Sequence, residues 1–152
     1  MVVFYPAFLD ERIDREQNER SARLRDQLAA LREKHKTDDA AYYAARDKLY
    51  DANPIYMADY RRIVDHIDHI KKVAGIDHAG IGSDYDGVPF LPPPMKGAED
   101  LALVTYEMLR RGYTETEIRK VLGGNLLRAM ERMEKMAGSR QISGGGSLKK
   151  IK

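Results

Sequence analysis

The chain has 152 residues, which is enough for one domain with a substantial core and short for two. Its 26 lysine and arginine residues against 24 acidic residues leave a net charge of +2, so overall electrostatics indicate neither a nucleic-acid partner nor a membrane surface. The absence of cysteine excludes disulfides, thiolate nucleophiles and thiolate metal sites. No stretch resembles a signal peptide or a membrane span, so we expect a soluble protein; the cytoplasm fits this expectation, and so do other compartments.

A compact apolar and aromatic run occupies residues 2–8 and contains Pro6. It predicts a buried strand, because proline removes an N–H from a sheet and is tolerated where a strand ends. A strand this apolar normally has partners on both sides. The sequence offers only one other candidate strand, so we expect one edge of residues 2–8 to be open.

A strongly charged segment follows and predicts a helical insertion over residues 10–60. Three leucines at four- and three-residue steps give a helix over about residues 10–35 one narrow apolar stripe. Asp38 and its neighbours supply an N-cap for a second helix over residues 40–52. The helical pair is either a lid or partner-binding hairpin, or an excursion packed on the outside of the domain. Leucine and aromatic residues at helical spacing favour the second interpretation.

The clearest helix is predicted over residues 59–74, where isoleucines and valines recur on one face. Gly75 is a typical residue to end it. A short run of small and β-branched residues then predicts a buried strand over residues 79–83. The order strand, helix, strand indicates a βαβ unit, in which strands 2–8 and 79–83 are adjacent and parallel.

An acidic turn, Asp84-Tyr85-Asp86-Gly87, comes directly after the second predicted strand. The C-terminal end of a barrel strand is a usual position for chemistry, which makes Asp84 a candidate catalytic residue. The alternative, favoured by spacing alone, is a tight turn in which an aspartate caps the backbone. The proline-rich segment at residues 88–94 should lie extended, either over the mouth of a barrel or as a ligand for a partner.

The C-terminal part predicts helices over residues 99–137, separated by glycines. Leu109 and Leu122 are expected to face the core, and residues 114–117 form a capping box. Residues 138–152 combine glycines with late lysines and are expected to be a flexible basic tail.

The histidines are candidate metal ligands because imidazole binds metals readily. His66 and His69 are three residues apart on the predicted helix 59–74, so their side chains lie near one another. Without a third ligand, one half-buried and one exposed histidine is the favoured interpretation. His78 begins the second predicted strand, at the end opposite Asp84.

Several ordered runs stand out beyond these patterns. They are Val64-Asp65-His66-Ile67-Asp68-His69-Ile70; Gly75-Ile76-Asp77-His78 leading into Gly80-Ile81-Gly82-Ser83-Asp84-Tyr85-Asp86-Gly87-Val88-Pro89; Leu109-Arg110-Arg111-Gly112-Tyr113; and Gly123-Gly124-Asn125-Leu126-Leu127-Arg128. Together they resemble the C-terminal part of the membrane dipeptidase (renal dipeptidase) family of zinc metallopeptidases, and Val3-Phe4-Tyr5 resembles the preceding strand of that family.

The resemblance implies an α/β fold in which residues 1–137 form the C-terminal fragment of a (β/α)₈ TIM-type barrel. Such a fragment has about two parallel strands plus several helices and is mostly helical by residue count. On this template the strands at 2–8 and 79–83 correspond to the seventh and eighth, and residues 10–60 to an insertion found between them in some bacterial members.

The resemblance also assigns roles to two residues. Asp84 falls on the family's eighth-strand aspartate, which lies beside the metals, assists proton transfer and holds the substrate's amino group. Tyr5 falls on a seventh-strand aromatic residue near the substrate pocket. The family's two-zinc site uses an H-x-D pair, a bridging glutamate and two later histidines, from a part of the barrel that this chain does not match. A lone Asp84 cannot bind two zinc ions, so no metal ligand is assigned and the chain alone is expected to be inactive.

Two hypotheses follow. The chain is a truncated or split zinc dipeptidase, which meets its dipeptide substrate when a complementary N-terminal chain completes the barrel. Alternatively, it is a non-catalytic α/β remnant that self-associates or docks on a partner. Two strands cannot close a barrel, so apolar surface is left uncovered and the edge at residues 2–8 is the expected seam of self-association.

Overall fold

A computed structural model describes the backbone of residues 1–143 and the side chains of residues 1–137, and this part of the chain is mostly helical, as predicted. Its α-helices are α1 (Pro6–Leu9), α2 (Glu11–Arg23), α3 (Arg25–Lys34), α4 (Asp39–Asp51), α5 (Arg61–Ala74), α6 (Leu101–Arg110), α7 (Glu115–Arg119) and α8 (Asn125–Ser143). Short 3₁₀ turns lie at Ile76–His78 and Ala98–Asp100, and a π turn lies at Lys120–Gly124. Among these helices, none is both long enough and apolar enough to cross a membrane.

The two predicted strands meet at one point, where Val2 and Ile81 form an isolated parallel bridge. The Val2 amide donates to the Gly80 carbonyl at 2.7 Å, and the Val2 carbonyl accepts from the Gly82 amide at 3.0 Å. The adjacency and the parallel direction of the two segments therefore agree with the sequence-based expectation.

The lengths of the predicted strands are wrong: within the described chain, neither residues 2–8 nor residues 79–83 form an extended ladder. Pro6 begins helix α1, because its fixed φ and missing N–H suit the first position of a helix. The Phe4 amide bonds the Ser83 carbonyl at 3.2 Å, one residue beyond the register of a regular parallel ladder. The pairing therefore ends almost as soon as it begins.

The insertion predicted over residues 10–60 forms α2, α3 and α4. The single helix expected over residues 10–35 is divided at Leu24, which is only 2% exposed and separates α2 from α3. Asp38 caps α4 as predicted, since its Oδ1 accepts from the Ala41 amide at 2.9 Å. Helices α3 and α4 contain no fully buried residue, which fits an excursion on the outside of the domain.

The main core lies between α5 and α6. Ile63 and Ile67 of α5 are fully buried, as are Val104 and Met108 of α6. Phe4 packs in the same cluster and is also fully buried. The apolar face predicted for the helix at residues 59–74 is thus confirmed for Ile63, Val64 and Ile67. It is wrong for the last turn, where Val73 is 66% exposed and Ala74 is exposed.

Two glycines end helices where a left-handed backbone is needed. Gly75 follows α5 with φ 88°, and Gly112 follows α6 with φ 80°. The capping box predicted for residues 114–117 is confirmed: Thr114 and Glu117 exchange side-chain and backbone hydrogen bonds at the start of α7. The ends of α5 and α6 and the start of α7 could therefore be predicted from local sequence.

The burial of the C-terminal helices differs from the prediction. Leu109 and Leu122, expected to face the core, are 56% and 46% exposed. Helix α8 runs to Ser143, past the start of the tail predicted for residues 138–152, because one glycine inside a helix costs only about 1 kcal/mol. The remainder of that predicted tail, residues 144–152, lies outside the described residues.

Candidate functional site

Asp84 occupies a tight turn directly after the Val2–Ile81 bridge. Its φ is 62°, and it is the single non-glycine residue with positive φ in the described part of the chain. The Asp84 carbonyl accepts from the Gly87 amide at 3.0 Å and from the Val88 amide at 3.1 Å. Aspartate tolerates this left-handed conformation better than most residues. We call residues 84–87 the Asp84 turn.

The Asp84 carboxylate is exposed to solvent, and no ion pair or hydrogen bond engages it within the described residues. A carboxylate that only stabilised the turn would be expected to accept from nearby backbone amides. The turn bonds instead run to the Asp84 carbonyl, which leaves both carboxylate oxygens available to an external cation or donor.

Tyr85 fastens the Asp84 turn to the core. Its ring meets Phe4 edge to face, with centroids 5.9 Å apart, and its hydroxyl donates to the Gly97 carbonyl at 3.4 Å. Burial raises the pKa of Tyr85, and the nearby carboxylates of Glu99 and Asp100 raise it further. Sequence reasoning missed this residue, although an aromatic side chain beside a candidate acid was the available signal.

Tyr5, the second predicted site residue, lies at the N-terminus of α1 and is half-buried. Its hydroxyl accepts from Gln17 Nε2 at 2.6 Å, which ties it to the insertion. Its ring packs edge to face on Phe8, at 5.1 Å between centroids, and lies 6.1 Å from the ring of Phe90. No hydrogen bond joins Tyr5 to Asp84 within residues 1–143, but Phe90 brings Tyr5 against the loop that follows the Asp84 turn.

An open groove with a volume of about 630 Å³ lies beside the Asp84 turn. Its lining is mostly apolar and comes from the proline-rich segment and the residues that follow it. The lining residues are Tyr85, Val88, Pro89, Phe90, Leu91, Met95, Lys96, Gly97 and Ala98. The groove is continuous with the turn through Tyr85 and Val88, and we call it the loop groove.

The histidines behave as the favoured interpretation predicted. His66 is half-buried and its Nε2 lies 3.0 Å from the Leu9 carbonyl, whereas His69 is exposed. The hydrogen bond joins α5 to the end of α1, so His66 helps to hold the helices together. His78 is exposed and His35 is half-buried.

An ion-pair network around the buried Glu107 carboxylate links α5 to the C-terminal end of α6. Glu107 is 1% exposed and accepts from Arg110 Nε and Arg111 Nε, each at 2.7 Å. The Arg110 bond, aided by Arg111 and opposed by burial, lowers the pKa of Glu107 from its ordinary 4.5 to about 2. Arg111 Nη1 also donates to Asp65 and Asp68, both at 2.7 Å.

Tyr113 extends this network. Its hydroxyl donates to Asp68, and burial together with that hydrogen bond raises the pKa of Tyr113. The Lys71 ammonium lies 4.2 Å from the centre of the Tyr113 ring and pairs with Glu117 at 2.6 Å. The Val64–Ile70 and Leu109–Tyr113 runs noted in the sequence therefore bind each other.

The remaining runs are joined in the same way. Asn125 Nδ2 donates to the Ile76 carbonyl at 2.7 Å and to the Ala79 carbonyl at 2.8 Å. Asp77 pairs with Lys120 at 2.7 Å, and this hydrogen bond lowers the pKa of Asp77. Polar side chains of these runs thus hold separate segments of the domain together, whereas Asp84 and Asp86 of the Asp84 turn face solvent.

A family model described as membrane dipeptidase (peptidase family M19) matches residues 1–144. The chain belongs to this family. The match takes in Tyr5, the Asp84 turn, the loop groove and both networks of paired runs. The resemblance read from the sequence is therefore confirmed, and it extends over the insertion at residues 10–60 as well.

Membrane dipeptidases are zinc-dependent in general. The residues of this member do not fit such a site: within the described chain, no three histidine or acidic side chains come together as metal ligands. Asp65 and Asp68 are held by Arg111, and His66 is directed at the Leu9 carbonyl. Asp84 alone offers too few ligand atoms to hold a zinc ion.

Proposed function

We propose that this chain supplies the substrate-binding side of a dipeptidase active site, with Asp84 as the residue that binds the N-terminal ammonium of a dipeptide. The observation that carries the proposal is the exposed Asp84 carboxylate, which makes no ion pair or hydrogen bond within residues 1–143. An ammonium is the natural partner of such a carboxylate, since a charge-assisted hydrogen bond is stronger than a neutral one.

The proposed setting is a fragment of a (β/α)₈ barrel. Support comes from the parallel pairing of Val2 with Ile81. The segments that contain these two residues are adjacent and run in the same direction, as neighbouring strands of such a barrel do. Helix α5 lies between them in sequence and packs against the pairing, as a crossover helix does. Asp84 follows the C-terminal end of the second segment, where barrel enzymes position their reactive residues.

Hydrolysis would need metal ligands that the described residues do not bring together. We therefore propose that a complementary polypeptide segment carrying those ligands completes the site, and that this chain contributes Asp84 and the ring of Tyr5. Tyr5 lies on the same side as the loop groove through its contact with Phe90, which supports a role in contacting substrate.

The proposal is tested by titrating the purified chain with a dipeptide and following backbone amide chemical shifts. Asp84→Asn keeps the left-handed conformation accessible and removes the charge. We expect it to weaken binding about fivefold or more, since a charge-assisted contact is lost. Asp86→Asn is the matched control, because Asp86 is exposed in the same turn. Equal affinities for the two variants would overturn the role of Asp84.

A second measurement concerns catalysis. We expect no dipeptide hydrolysis by the purified chain with added zinc, because too few metal ligands are assembled. Zinc-dependent hydrolysis that is lost in Asp84→Asn would show that the chain is an active enzyme by itself and would contradict the need for a complementary segment.

The second candidate function is a non-catalytic module that associates with itself or with a partner. It is favoured by four apolar side chains of α8, which we call the α8 stripe: Leu126, Leu127, Met130 and Met133, exposed by 47%, 61%, 45% and 57%. Apolar side chains recurring along one helix are usually covered by another element. Concentration-independent sedimentation as a monomer would exclude self-association.

A further inference from the structure

The loop groove is apolar inside and acidic at its border. Residues 84–100, which form the Asp84 turn and the loop that lines the groove, contain four acidic residues and one lysine, a net charge of −3. Met95 is 5% exposed and belongs to the core, and Phe90 and Leu91 are half-buried, so the lining offers fixed apolar surface. Such a groove is complementary to an apolar segment that carries lysines.

The acidic border lies close to the lining residues. The Glu99 carboxylate is exposed and lies directly against Gly97, at the point where a β-carbon would stand. Burial raises the pKa of Tyr85, and the carboxylates of Glu99 and Asp100 raise it further, because both lie near the Tyr85 hydroxyl. Both carboxylates of the Asp84 turn are exposed as well. Among the described residues that line the groove, Lys96 alone is a cation, so the border keeps a negative potential.

A segment of opposite character lies in the same chain. Residues 138–152 contain four basic residues and no acidic residue, and they include Leu148-Lys149-Lys150-Ile151-Lys152. We propose that the loop groove binds residues 148–152 of a second copy of this chain, with Leu148 and Ile151 in the groove and the lysines on its acidic border. The inference goes beyond both candidate functions, because it names a surface and an occupant that neither of them uses.

The distribution of charge along the chain supports a contact between copies. Residues 125–152 contain seven basic and two acidic residues, whereas residues 1–124 contain 19 basic and 22 acidic residues. The two parts therefore carry net charges of +5 and −3 and attract each other. Such complementarity sets the orientation of an encounter more than its affinity, which comes here from the burial of two aliphatic side chains.

The position of α8 favours a second copy over the same chain as the source of the segment. Asn125, at the start of α8, bonds the carbonyls of Ile76 and Ala79, at the end of the 79–83 segment that lies away from the Asp84 turn. Residues 129–137 are all exposed, so the helix leaves the body of the domain there. A 19-residue helix is about 28 Å long, and the nine residues after it span at most about 30 Å. Within one chain the segment would use most of this reach merely to return along α8.

The test measures the fluorescence anisotropy of a labelled peptide with the sequence of residues 144–152 as the full chain is added. The chain variants are Glu99→Lys and, as the matched control, Glu19→Lys, because Glu19 is an exposed glutamate on α2 that does not line the groove. Circular dichroism confirms that each variant is folded. Two altered peptides complete the set: one carries Lys149→Glu and Lys150→Glu, and the other replaces both aliphatic residues by serine.

We expect Glu99→Lys to weaken binding of the native peptide about fivefold and Glu19→Lys to leave it unchanged. The charge-reversed peptide should bind wild type about tenfold more weakly than the native peptide and should regain affinity for Glu99→Lys. The serine peptide should also bind about tenfold more weakly, because it buries no aliphatic side chain. Equal effects of Glu99→Lys and Glu19→Lys, or no binding of the native peptide, overturn the groove as the site.

Sedimentation of the full chain tests the second copy as the source. Glu99→Lys and the Lys149→Glu, Lys150→Glu double variant should each reduce concentration-dependent association, and combining all three substitutions should restore part of it. A chain that stays monomeric well above the dissociation constant of the native peptide overturns the second copy.

The outcomes are independent of the proposed role of Asp84. Peptide binding that ignores Glu99→Lys, together with dipeptide binding that is weakened by Asp84→Asn, overturns this inference alone. Peptide binding that depends on Glu99, together with dipeptide binding that is unchanged by Asp84→Asn, overturns the proposed function alone.

Discussion

Helices α5 and α8 carry comparable apolar patterns in opposite surroundings. In α5, Ile63, Val64 and Ile67 are fully buried against α6 and the Val2–Ile81 bridge. In α8, the four side chains of the α8 stripe are each exposed by 45% or more. An amphipathic sequence therefore predicts that a helix forms and which face is apolar, whereas the covering of that face depends on segments far away in the chain.

The largest expected effect on the free energy of unfolding compares a substitution in α5 with one in α8. Ile67→Ala should lower the free energy of unfolding by about 4 kcal/mol, because it leaves a cavity in a packed core. Met130→Ala should change the free energy of unfolding by less than about 0.5 kcal/mol, since Met130 is 45% exposed. Urea denaturation followed by circular dichroism measures both. A large loss in Met130→Ala would mean that α8 is covered in solution.

The next effect concerns the ion pairs of α6. Glu107→Gln should lower the free energy of unfolding by about 2 kcal/mol, because two charge-assisted hydrogen bonds to a buried carboxylate are lost while Arg110 and Arg111 keep access to solvent. Glu115→Gln is the matched control: Glu115 pairs with Arg119 while both side chains are 78% exposed, so the change should be below about 0.5 kcal/mol. Similar losses in the two variants would show that burial does not set the strength of these pairs.

The stability of the fold should depend on pH through the Glu107 carboxylate. The pKa of Glu107 is lowered in the folded chain, so the unfolded chain binds a proton first as the pH falls. The stabilisation is fully present above the ordinary value of 4.5 and is lost as the pH falls from there towards about 2. Urea midpoints across this range should decline less steeply in Glu107→Gln than in wild type. Identical slopes would contradict the assignment.

The smallest expected effect is on self-association, and it distinguishes two of the surfaces through which the chain could associate. The open edge at residues 2–8 stays a prediction, and the α8 stripe is the surface that the structure adds. Met130→Lys should abolish any concentration-dependent sedimentation if the stripe is the seam, and Val3→Lys should do so if the edge is. Loss of association in neither variant would place the contact elsewhere.

Local sequence was sufficient for much of the fold. The apolar face of α5, the glycine at its end and the Thr114 capping box depend on neighbours within one or two helical turns. The predicted strand lengths were wrong for two reasons. Pro6, inside the first segment, begins a helix, and the pairing with the second segment, which is distant in sequence, slips by one residue near Ser83. The exposure of Leu122 likewise depends on which segments are available to cover it.

The candidate site was predictable only in part. Asp84 was proposed from its position after a predicted strand and from the family resemblance, and its catalytic role stays a prediction. Its carboxylate makes no ion pair or hydrogen bond within the described residues. Asp65 and Asp68, which bind Arg111, lie more than forty residues away from it in sequence, so no local pattern could reveal these two contacts. Tyr85 gains its contact with Gly97 from the folding of the proline-rich loop, whose path cannot be predicted from hydrophobic periodicity.

The bridge between Val2 and Ile81 closes a loop that contains the whole helical insertion. The entropy lost on closing a loop grows only with the logarithm of its length, so a doubling costs about 0.6 kcal/mol. Helices α3 and α4 bury no residue completely, so their removal would sacrifice little packing. The segment from Arg25 to Asp51 is therefore a region where length can vary at small thermodynamic cost, and a shortened chain joined across it should still bring Val2 to Ile81.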